Sequence, residues 1–153
     1  MSADESIKLD HQLCFALYAA SNAMTRLYRD RLEPLGLTYP QYLVMLLLWE
    51  QARGDAAPHT VKSLGERLHL DSGTLTPMLK RMEQAGLITR TRDTADERQV
   101  TIGLTEQGSK LEAAVAAAQR EMACLLPLSL QDLARLRTEL RGLAAGLQAE
   151  TAK

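Results

Sequence analysis

The chain has 153 residues, 46% of them hydrophobic and 24% charged, with a formal net charge of −1, so it can bury one proper core but not two enzyme-sized domains. No stretch approaches the roughly eighteen consecutive apolar residues of a membrane span, and the first five residues lack the basic-then-apolar order of a secretory signal. We therefore expect a cytoplasmic protein with no membrane partner.

Two long helices are predicted at the start of the chain. Residues 7–32 carry apolar side chains at helical spacing, with neither Gly nor Pro before Pro34, which is typical of one amphipathic helix. Thr38 is a suitable N-cap for a second helix that runs to Gln51. Because its residues 43–49 are too apolar for a surface helix, we predict that this helix lies in the core.

Two shorter helices follow. Thr60 is expected to open a helix that ends near His69, and Asp71 or Ser72 is expected to cap the next one. That helix runs to Gly86, which stands where a C-cap glycine belongs. The pattern predicts two helices joined by a tight turn.

A hairpin and two further helices complete the prediction. Residues 87–92 and 99–104 alternate apolar and polar side chains around the polar stretch 93–98, as a two-stranded hairpin does. An Ala-rich helix spans residues 105–126. Ser129 then begins a capping-box-like sequence, with Asp in place of the usual Glu or Gln, and opens a last helix to the C-terminus.

The order of these elements favours a mainly α (α+β) fold, a winged helix-turn-helix DNA-binding domain. We expect one domain over residues 1–153, with the winged helix-turn-helix at 38–104, the recognition helix at about 72–85 and the wing at about 88–104. In this motif the second helix enters the major groove and the hairpin reaches the flanking backbone or minor groove. A plain helical bundle with a hairpin is the alternative.

The long terminal helices, residues 7–34 and 105–150, are not needed to form so small a DNA-binding domain. We predict that their apolar faces form a homodimer interface. A dimer with two recognition helices would bind a pseudo-palindromic operator in double-stranded DNA, with half-sites about ten base pairs apart. The apolar positions are Leu9, Leu13 and Leu17 at one end, and Leu133, Leu136, Leu140, Leu143 and Leu147 at the other.

Any DNA contact must come from a local patch, because the net charge excludes a generally basic surface. Residues 76–92 hold four cations against the single acid Glu83, whereas residues 105–153 are close to balanced. Short hydroxyl side chains precede the cations at a helix N-terminus, where free N–H groups and the helix dipole favour a phosphate. A surface helix can carry the same residues with no partner. The candidate DNA contacts are Ser72, Thr74, Thr76, Lys80, Arg81, Arg90 and Arg92.

The wing sequence resembles that of the MarR family of repressors. Residues 96–98, Asp-Glu-Arg, are followed after five positions by Leu-Thr at 104–105, and this resembles the family's D-x-R-x5-L-T signature. Residues 64–68, 72–76 and 79–88 resemble its helix-turn-helix. The resemblance covers nearly the whole chain and implies the same winged helix fold and DNA as partner.

The resemblance also assigns two residues of the wing. It implies that Arg98 lies at the wing tip and enters the minor groove, whose narrow stretches attract arginine. It implies that Asp96 helps to fix the wing. It further implies that the N-terminal part of the recognition helix faces the base edges.

Three residues resemble those of the organic hydroperoxide regulators within that family. Cys14 lies near the start of the first helix, and Tyr28 and Tyr39 follow it after 14 and 25 positions. In that group a cysteine of the first helix is the peroxide sensor and two tyrosines form hydrogen bonds with it. The resemblance implies a redox-sensing transcriptional repressor that releases its operator when organic hydroperoxide oxidises Cys14.

Helix geometry limits how this triad forms. Fourteen residues of a straight helix span about 21 Å, so Tyr28 cannot touch Cys14 of its own helix, and the contact must cross the dimer. Phenol donors stabilise a thiolate, which is the form that attacks a peroxide oxygen. Oxidation to a polar sulfenic acid in a packed interface is expected to move the wings away from the groove.

Cys124 is the second cysteine, 110 positions after the first, and this spacing fits neither a disulfide scaffold nor a zinc site. Resemblance to two-cysteine members of the group implies that it resolves the Cys14 sulfenic acid into a disulfide with the opposite subunit. A buried structural cysteine is the alternative. Neither metal nor cofactor is expected, since metal spacing is absent among His11, His59 and His69.

Two rival functions stay open. One is a repressor of the same fold that senses a small phenolic or aromatic ligand between the dimer helices and the DNA-binding lobes, in which case Cys14→Ser would leave induction intact. The other is a thiol peroxidase. Against an enzyme, the sequence places no Thr or Arg beside Cys14 to polarise a peroxide and has no C-x-x-C pair, and a basic wing would have no purpose.

Overall fold

The structure is a computed structural model that describes residues 7–151. Residues 1–6, which the prediction about a secretory signal concerned, and residues 152–153 lie outside the described residues. The helices are α1 (Leu13–Leu32), α2 (Tyr39–Ala52), α3 (Val61–Leu68), α4 (Ser72–Gln84), α5 (Glu106–Leu125) and α6 (Leu130–Thr151). The strands are β1 (His59–Thr60), β2 (Ile88–Arg92) and β3 (Val100–Leu104).

The first predicted helix is shorter than expected. A short 3₁₀ turn covers Leu9–His11, and Gln12 is extended, with φ −89° and ψ 119°, before α1 begins at Leu13. The prediction of one helix from residue 7 was therefore wrong at its N-terminal end. Cys14 consequently lies in the first turn of α1.

Helix α2 forms the centre of the core, as predicted. Thr38 and Gln41 form a capping box, in which each side chain bonds the backbone N–H of the other residue at 3.4 and 2.9 Å. Trp49 donates a buried hydrogen bond of 3.0 Å from Nε1 to the carbonyl of Gly108, which ties α2 to α5. The buried residues of α2 are Tyr42, Val44, Met45, Leu47, Leu48 and Trp49.

The helix-turn-helix agrees with the predicted bounds within a residue or two. Thr60 caps α3, where its hydroxyl accepts a hydrogen bond of 3.1 Å from the N–H of Ser63. The helix ends at Leu68, and its C-cap residue His69 adopts the left-handed conformation with φ 55°. A side chain at Gly65 would place its Cβ 2.8 Å from the carbonyl oxygen of Leu70, so only glycine permits this tight turn.

The wing is part of a three-stranded antiparallel sheet of order β1-β3-β2. Strands β2 and β3 pair from Ile88↔Leu104 to Arg92↔Val100, which confirms the predicted hairpin. The two-strand prediction was incomplete, because β1 also pairs with β3. The side chain of Gln51 accepts a hydrogen bond of 2.8 Å from the N–H of His59 and so fixes β1 from α2.

The chain divides into two compact units, Met1–Arg120 and Glu121–Lys153, so the single-domain assignment stays a prediction. Helix α6, in the second unit, begins as the sequence indicated. The hydroxyl of Ser129 accepts from the N–H of Asp132 at 3.1 Å and donates to its carboxylate at 2.7 Å. Among residues 7–151, no helix is both long and apolar enough to cross a membrane.

Candidate nucleic-acid interface and sensor residues

The start of the recognition helix α4 is organised by Asp71. Its carboxylate accepts hydrogen bonds from the backbone N–H of Thr74 at 2.9 Å and from the Thr74 hydroxyl at 3.1 Å. These bonds hold the pKa of Asp71 below its usual value. Thr74 is thus engaged within the cap, Ser72 is exposed beside it, and Thr76 is half-buried.

Two of the predicted cations lie on the open surface of the same helix. Lys80 and Arg81 are both exposed, about two turns after the cap. Arg81 also lines a cleft of about 430 Å³ together with Thr74 and Gln41. The exposed face of α4 therefore combines hydroxyl groups and positive charge, as a helix that binds DNA requires.

Arg90 is placed differently from the other predicted cations. Its Nη1 lies 3.5 Å from Oε2 of Glu83, only 20% of its side chain is exposed, and its buried Nε has no hydrogen-bond partner among the described residues. This ion pair links α4 to β2. Arg92, two residues along the strand, is exposed.

Two aspartates shape the tip of the wing. Asp93 accepts a hydrogen bond of 2.7 Å from the N–H of Ala95, and Asp96 accepts one of 3.0 Å from the N–H of Arg98. The backbone of Gln99 closes the tip, donating to the Asp96 carbonyl at 2.9 Å and accepting from the N–H of Asp93 at 2.9 Å. The side chain of Asp96 therefore fixes the backbone at Arg98 through this hydrogen bond.

The structure brings Arg98 close to the helix-turn-helix. Arg98 and Ser72 line one cleft of about 370 Å³, together with Lys62 of α3. Lys62 is highly exposed, with 87% of its side chain accessible, and lies 3.9 Å from Glu66. Lys62 was not predicted as a DNA contact, because an isolated lysine outside the cationic run carries no signal until the fold places it beside the wing.

The sensor residues lie at two separate places in the chain. Cys14 is exposed in the first turn of α1, whereas Tyr28 lies on the same uninterrupted helix fourteen residues later, which corresponds to about 21 Å. Tyr28 packs edge-on against Tyr39, with ring centroids 5.3 Å apart and an angle of 74°. The structure therefore brings the two tyrosines together but keeps the cysteine of the same chain away from Tyr28.

A third tyrosine belongs to this group. The ring of buried Tyr42 lies 5.4 Å from that of Tyr28 and 5.9 Å from that of Tyr39. Burial and Tyr42 raise the pKa of Tyr28 to about 12, and burial and Tyr28 raise the pKa of Tyr39. Both phenols are therefore protonated donors at neutral pH. No role for Tyr42 was predicted from the sequence.

Cys124 is exposed near the end of α5 in the single chain. It belongs to the second compact unit and Cys14 to the first. Within residues 7–151 no three His, Cys, Asp or Glu side chains are grouped as a metal site requires.

Comparison with known proteins identifies the family. The family model described as Transcriptional regulator SarA/Rot matches residues 26–115. The chain is 51% identical over 136 residues to the organic hydroperoxide resistance transcriptional regulator of Bacillus subtilis (strain 168), covering 89% of each protein. The chain belongs to the MarR family of transcriptional regulators, in the organic hydroperoxide group. The winged helix fold class predicted from the sequence is thereby confirmed.

Solved structures agree with this placement in the MarR family. Reduced AbfR bound to DNA, from Staphylococcus epidermidis, is 37% identical with a TM-score of 0.80, and the match covers 97% of this chain and 98% of that one. Disulfide-formed AbfR is 40% identical with a TM-score of 0.64, covering 92% and 96%. The same fold is thus known in a DNA-bound reduced state and in a disulfide state.

Proposed function

We propose that this protein is a homodimeric repressor that binds a pseudo-palindromic operator in double-stranded DNA and releases it when organic hydroperoxide oxidises Cys14. The observation that carries the proposal is an exposed cysteine in the first turn of α1, in a chain 51% identical to a regulator of organic hydroperoxide resistance. Thiolates at helix N-termini are favoured electrostatically, and exposure admits the peroxide.

In this proposal α4 enters the major groove and the wing follows the adjacent backbone. Ser72, Thr76, Lys80, Arg81 and Arg92 contact the DNA, and Arg98 enters the minor groove from the wing tip. Thr74, Arg90 and Asp96 support these contacts indirectly. Thr74 is hydrogen-bonded to Asp71, Nη1 of Arg90 is paired with Glu83, and Asp96 accepts a hydrogen bond from the N–H of Arg98.

Homodimerisation through both ends of the chain is supported by apolar exposure. None of the eight apolar residues predicted at the interface is buried in the single chain, and Leu9, Leu13 and Leu147 are 59%, 62% and 58% exposed. Monomeric proteins rarely leave so many large apolar side chains in water. In the dimer, Cys14 meets Tyr28 and Tyr39 of the partner subunit.

The sensing reaction is a two-electron oxidation of sulfur. The Cys14 thiolate attacks the terminal oxygen of R–O–O–H, an S–O bond forms, the O–O bond breaks, and the alkoxide leaves and takes a proton to become the alcohol. Cys14 becomes a sulfenic acid. The Cys124 thiol then attacks the sulfenic sulfur, forming a disulfide and releasing water, which extends the change from the interface to the wings.

We infer that this protein reacts stoichiometrically with peroxide and is not an enzyme that turns peroxide over. We also infer that it acts in the cytoplasm. Its relatives are transcriptional regulators. Without an added reductant, excess organic hydroperoxide should be consumed only to about one equivalent per reduced Cys14, because the sulfur then stays oxidised. Sustained turnover by protein that does not bind DNA would contradict the regulatory role.

The deciding experiment is an anisotropy titration of reduced protein on an operator from the upstream region of its own gene, before and after one equivalent of organic hydroperoxide. Wild-type protein should release the DNA, whereas Cys14→Ser should keep it. Cys124→Ser should still react but form no reducible disulfide. If peroxide leaves binding untouched, the redox mechanism fails and a repressor that responds to a phenolic ligand becomes the better explanation.

A further inference from the structure

His59 lies where the helix-turn-helix and the wing meet. It is half-buried, forms β1 together with Thr60, and pairs with Ile102 of β3. Thr60, the next residue, is the N-cap of α3. The backbone N–H of His59 donates a hydrogen bond of 2.8 Å to the side chain of Gln51 on α2. His59 therefore connects α2, the start of α3 and the sheet that carries the wing.

The hydrogen bonds of Ser63 determine which nitrogen of the His59 ring carries the proton. The Ser63 hydroxyl donates to the carbonyl of Thr60 at 3.1 Å and accepts from the N–H of Thr60 at 2.9 Å. Because a hydroxyl has one proton and two lone pairs, toward the ring it can only accept. Nδ1 of His59, which lies 3.4 Å from this oxygen, is therefore the protonated nitrogen, and Nε2 carries the lone pair of the neutral ring.

Nε2 of His59 is poorly placed to take up a second proton. This nitrogen is buried and has no hydrogen-bond partner among residues 7–151. An unpaired lone pair carries a moderate cost, whereas an added proton would leave both an unsatisfied donor and a positive charge in the same buried position. The folded site therefore favours the neutral ring over the charged one.

The groups around the ring agree with this geometry. Burial lowers the pKa of His59, Glu50 of α2 raises it to a smaller extent, and Arg67 of α3 lowers it again. The neighbouring residues of β3, Thr101 and Ile102, carry no charge. The net effect holds the pKa of His59 below that of an ordinary histidine.

We propose that His59 is an acid-sensitive switch at the base of the wing, and that protonation moves its ring out of this site and weakens operator binding. A charged ring reaches water only by leaving Ser63, which removes support from β1 and from the start of α3. Added positive charge alone would strengthen DNA binding, so the two effects have opposite signs. This inference rests on the DNA binding of the proposed function but requires neither Cys14 nor peroxide.

The test measures the operator Kd of the full-length reduced protein by fluorescence anisotropy between about pH 5 and 7.5, at constant ionic strength and without peroxide. In wild type we expect Kd to rise about fivefold or more as the pH falls. His59→Asn keeps an N–H donor near Ser63 but takes up no proton, so its Kd should stay constant. His69→Asn is the matched control, because asparagine tolerates the left-handed conformation of His69, and it should retain the wild-type pH dependence.

NMR titration of the three histidine rings in the wild-type protein gives a second readout that needs no folded variant. The His59 ring should take up its proton at lower pH when the operator is bound, because a proton that weakens DNA binding is itself held less tightly in the complex. The inference is overturned, and the proposed function left standing, by a Kd that falls or stays constant toward acid pH, by a pH dependence that persists in His59→Asn, or by a His59 titration that the operator leaves unchanged. If the protein binds no operator at any pH, the proposed function and this inference both fail.

Discussion

The carboxylate of Asp96 accepts a hydrogen bond of 3.0 Å from the backbone N–H of Arg98, two residues along the wing. Through this bond an acidic side chain, which would itself repel DNA, holds in place the cation proposed to enter the minor groove. If Asp96 acts by shaping the wing, its removal should weaken DNA binding. If it acts only through its negative charge, its removal should strengthen DNA binding.

Asp96→Ala should weaken operator binding about fivefold, since the wing tip loses a hydrogen bond worth about 1 kcal/mol of ordering. The measurement is fluorescence anisotropy at fixed salt. Glu97→Ala is the matched control, because Glu97 carries the same charge but has no hydrogen-bond partner among residues 7–151. It should bind equally or slightly more tightly. Equal behaviour of the two variants would mean that Asp96 acts only through its charge.

Lys80→Ala and Arg81→Ala should each reduce the slope of log Kd against log salt concentration by about one, because each side chain is proposed to neutralise one phosphate. Titrations between about 50 and 200 mM salt measure the slope. Lys110→Ala removes the same charge from α5, where Lys110 pairs with Glu106, and should leave the slope unchanged. A parallel loss in all three variants would point to net charge rather than to contacts along α4.

Gly108→Ala should lower the free energy of unfolding by about 3 kcal/mol, although alanine favours helices. A Cβ at this position would lie 2.1 Å from the backbone carbonyl oxygen of Leu87, and neither backbone can yield easily. The same glycine accepts the buried hydrogen bond of Trp49. Urea unfolding measures the loss. Ser109→Ala, one residue along and exposed, should stay within about 0.5 kcal/mol of wild type.

Asp71→Asn should lower the free energy of unfolding by an amount that depends on pH, because it removes the charged cap of α4. Hydrogen bonds from Thr74 lower the pKa of folded Asp71, so its stabilisation is present above the unfolded pKa near 4 and is lost as pH falls through the lower folded value. Urea unfolding of both proteins between pH 3 and 7 should show a difference that shrinks at the acid end. If the two proteins differ in free energy of unfolding by the same amount at every pH in this range, the charge of Asp71 does not account for the difference.

In Tyr28→Phe, the free energy of unfolding should decrease less with rising alkaline pH than it does in wild type. The pKa of Tyr28 is about 12 in the folded chain against about 10 unfolded, so its contribution is fully present below pH 10 and is lost between pH 10 and 12. Unfolding of wild type and variant across this window measures the difference. Tyr18→Phe is the control, because Tyr18 is 65% exposed, and its alkaline profile should match wild type.

The sequence by itself determined where α2, α3 and α4 begin, because capping signals act over a few residues. The caps of α2, α3 and α4 were each predicted from a side chain within three residues of the N–H group it accepts from, at Thr38, Thr60 and Asp71. The hairpin was equally local, since alternation in two neighbouring strands reveals it. Cys14, Tyr28 and Tyr39 were found through their positions in a family pattern.

The tertiary structure alone decided which of these residues meet. Two-residue β1 has no alternation to detect, and its pairing depends on Gln51, a neighbour from α2. Arg90 belongs to the same cationic run as Lys80 and Arg81, yet it turns toward Glu83 because β2 packs beside α4. Tyr42 and Gln119 are 77 positions apart, and only the packing of distant helices gives such a pair its hydrogen bond.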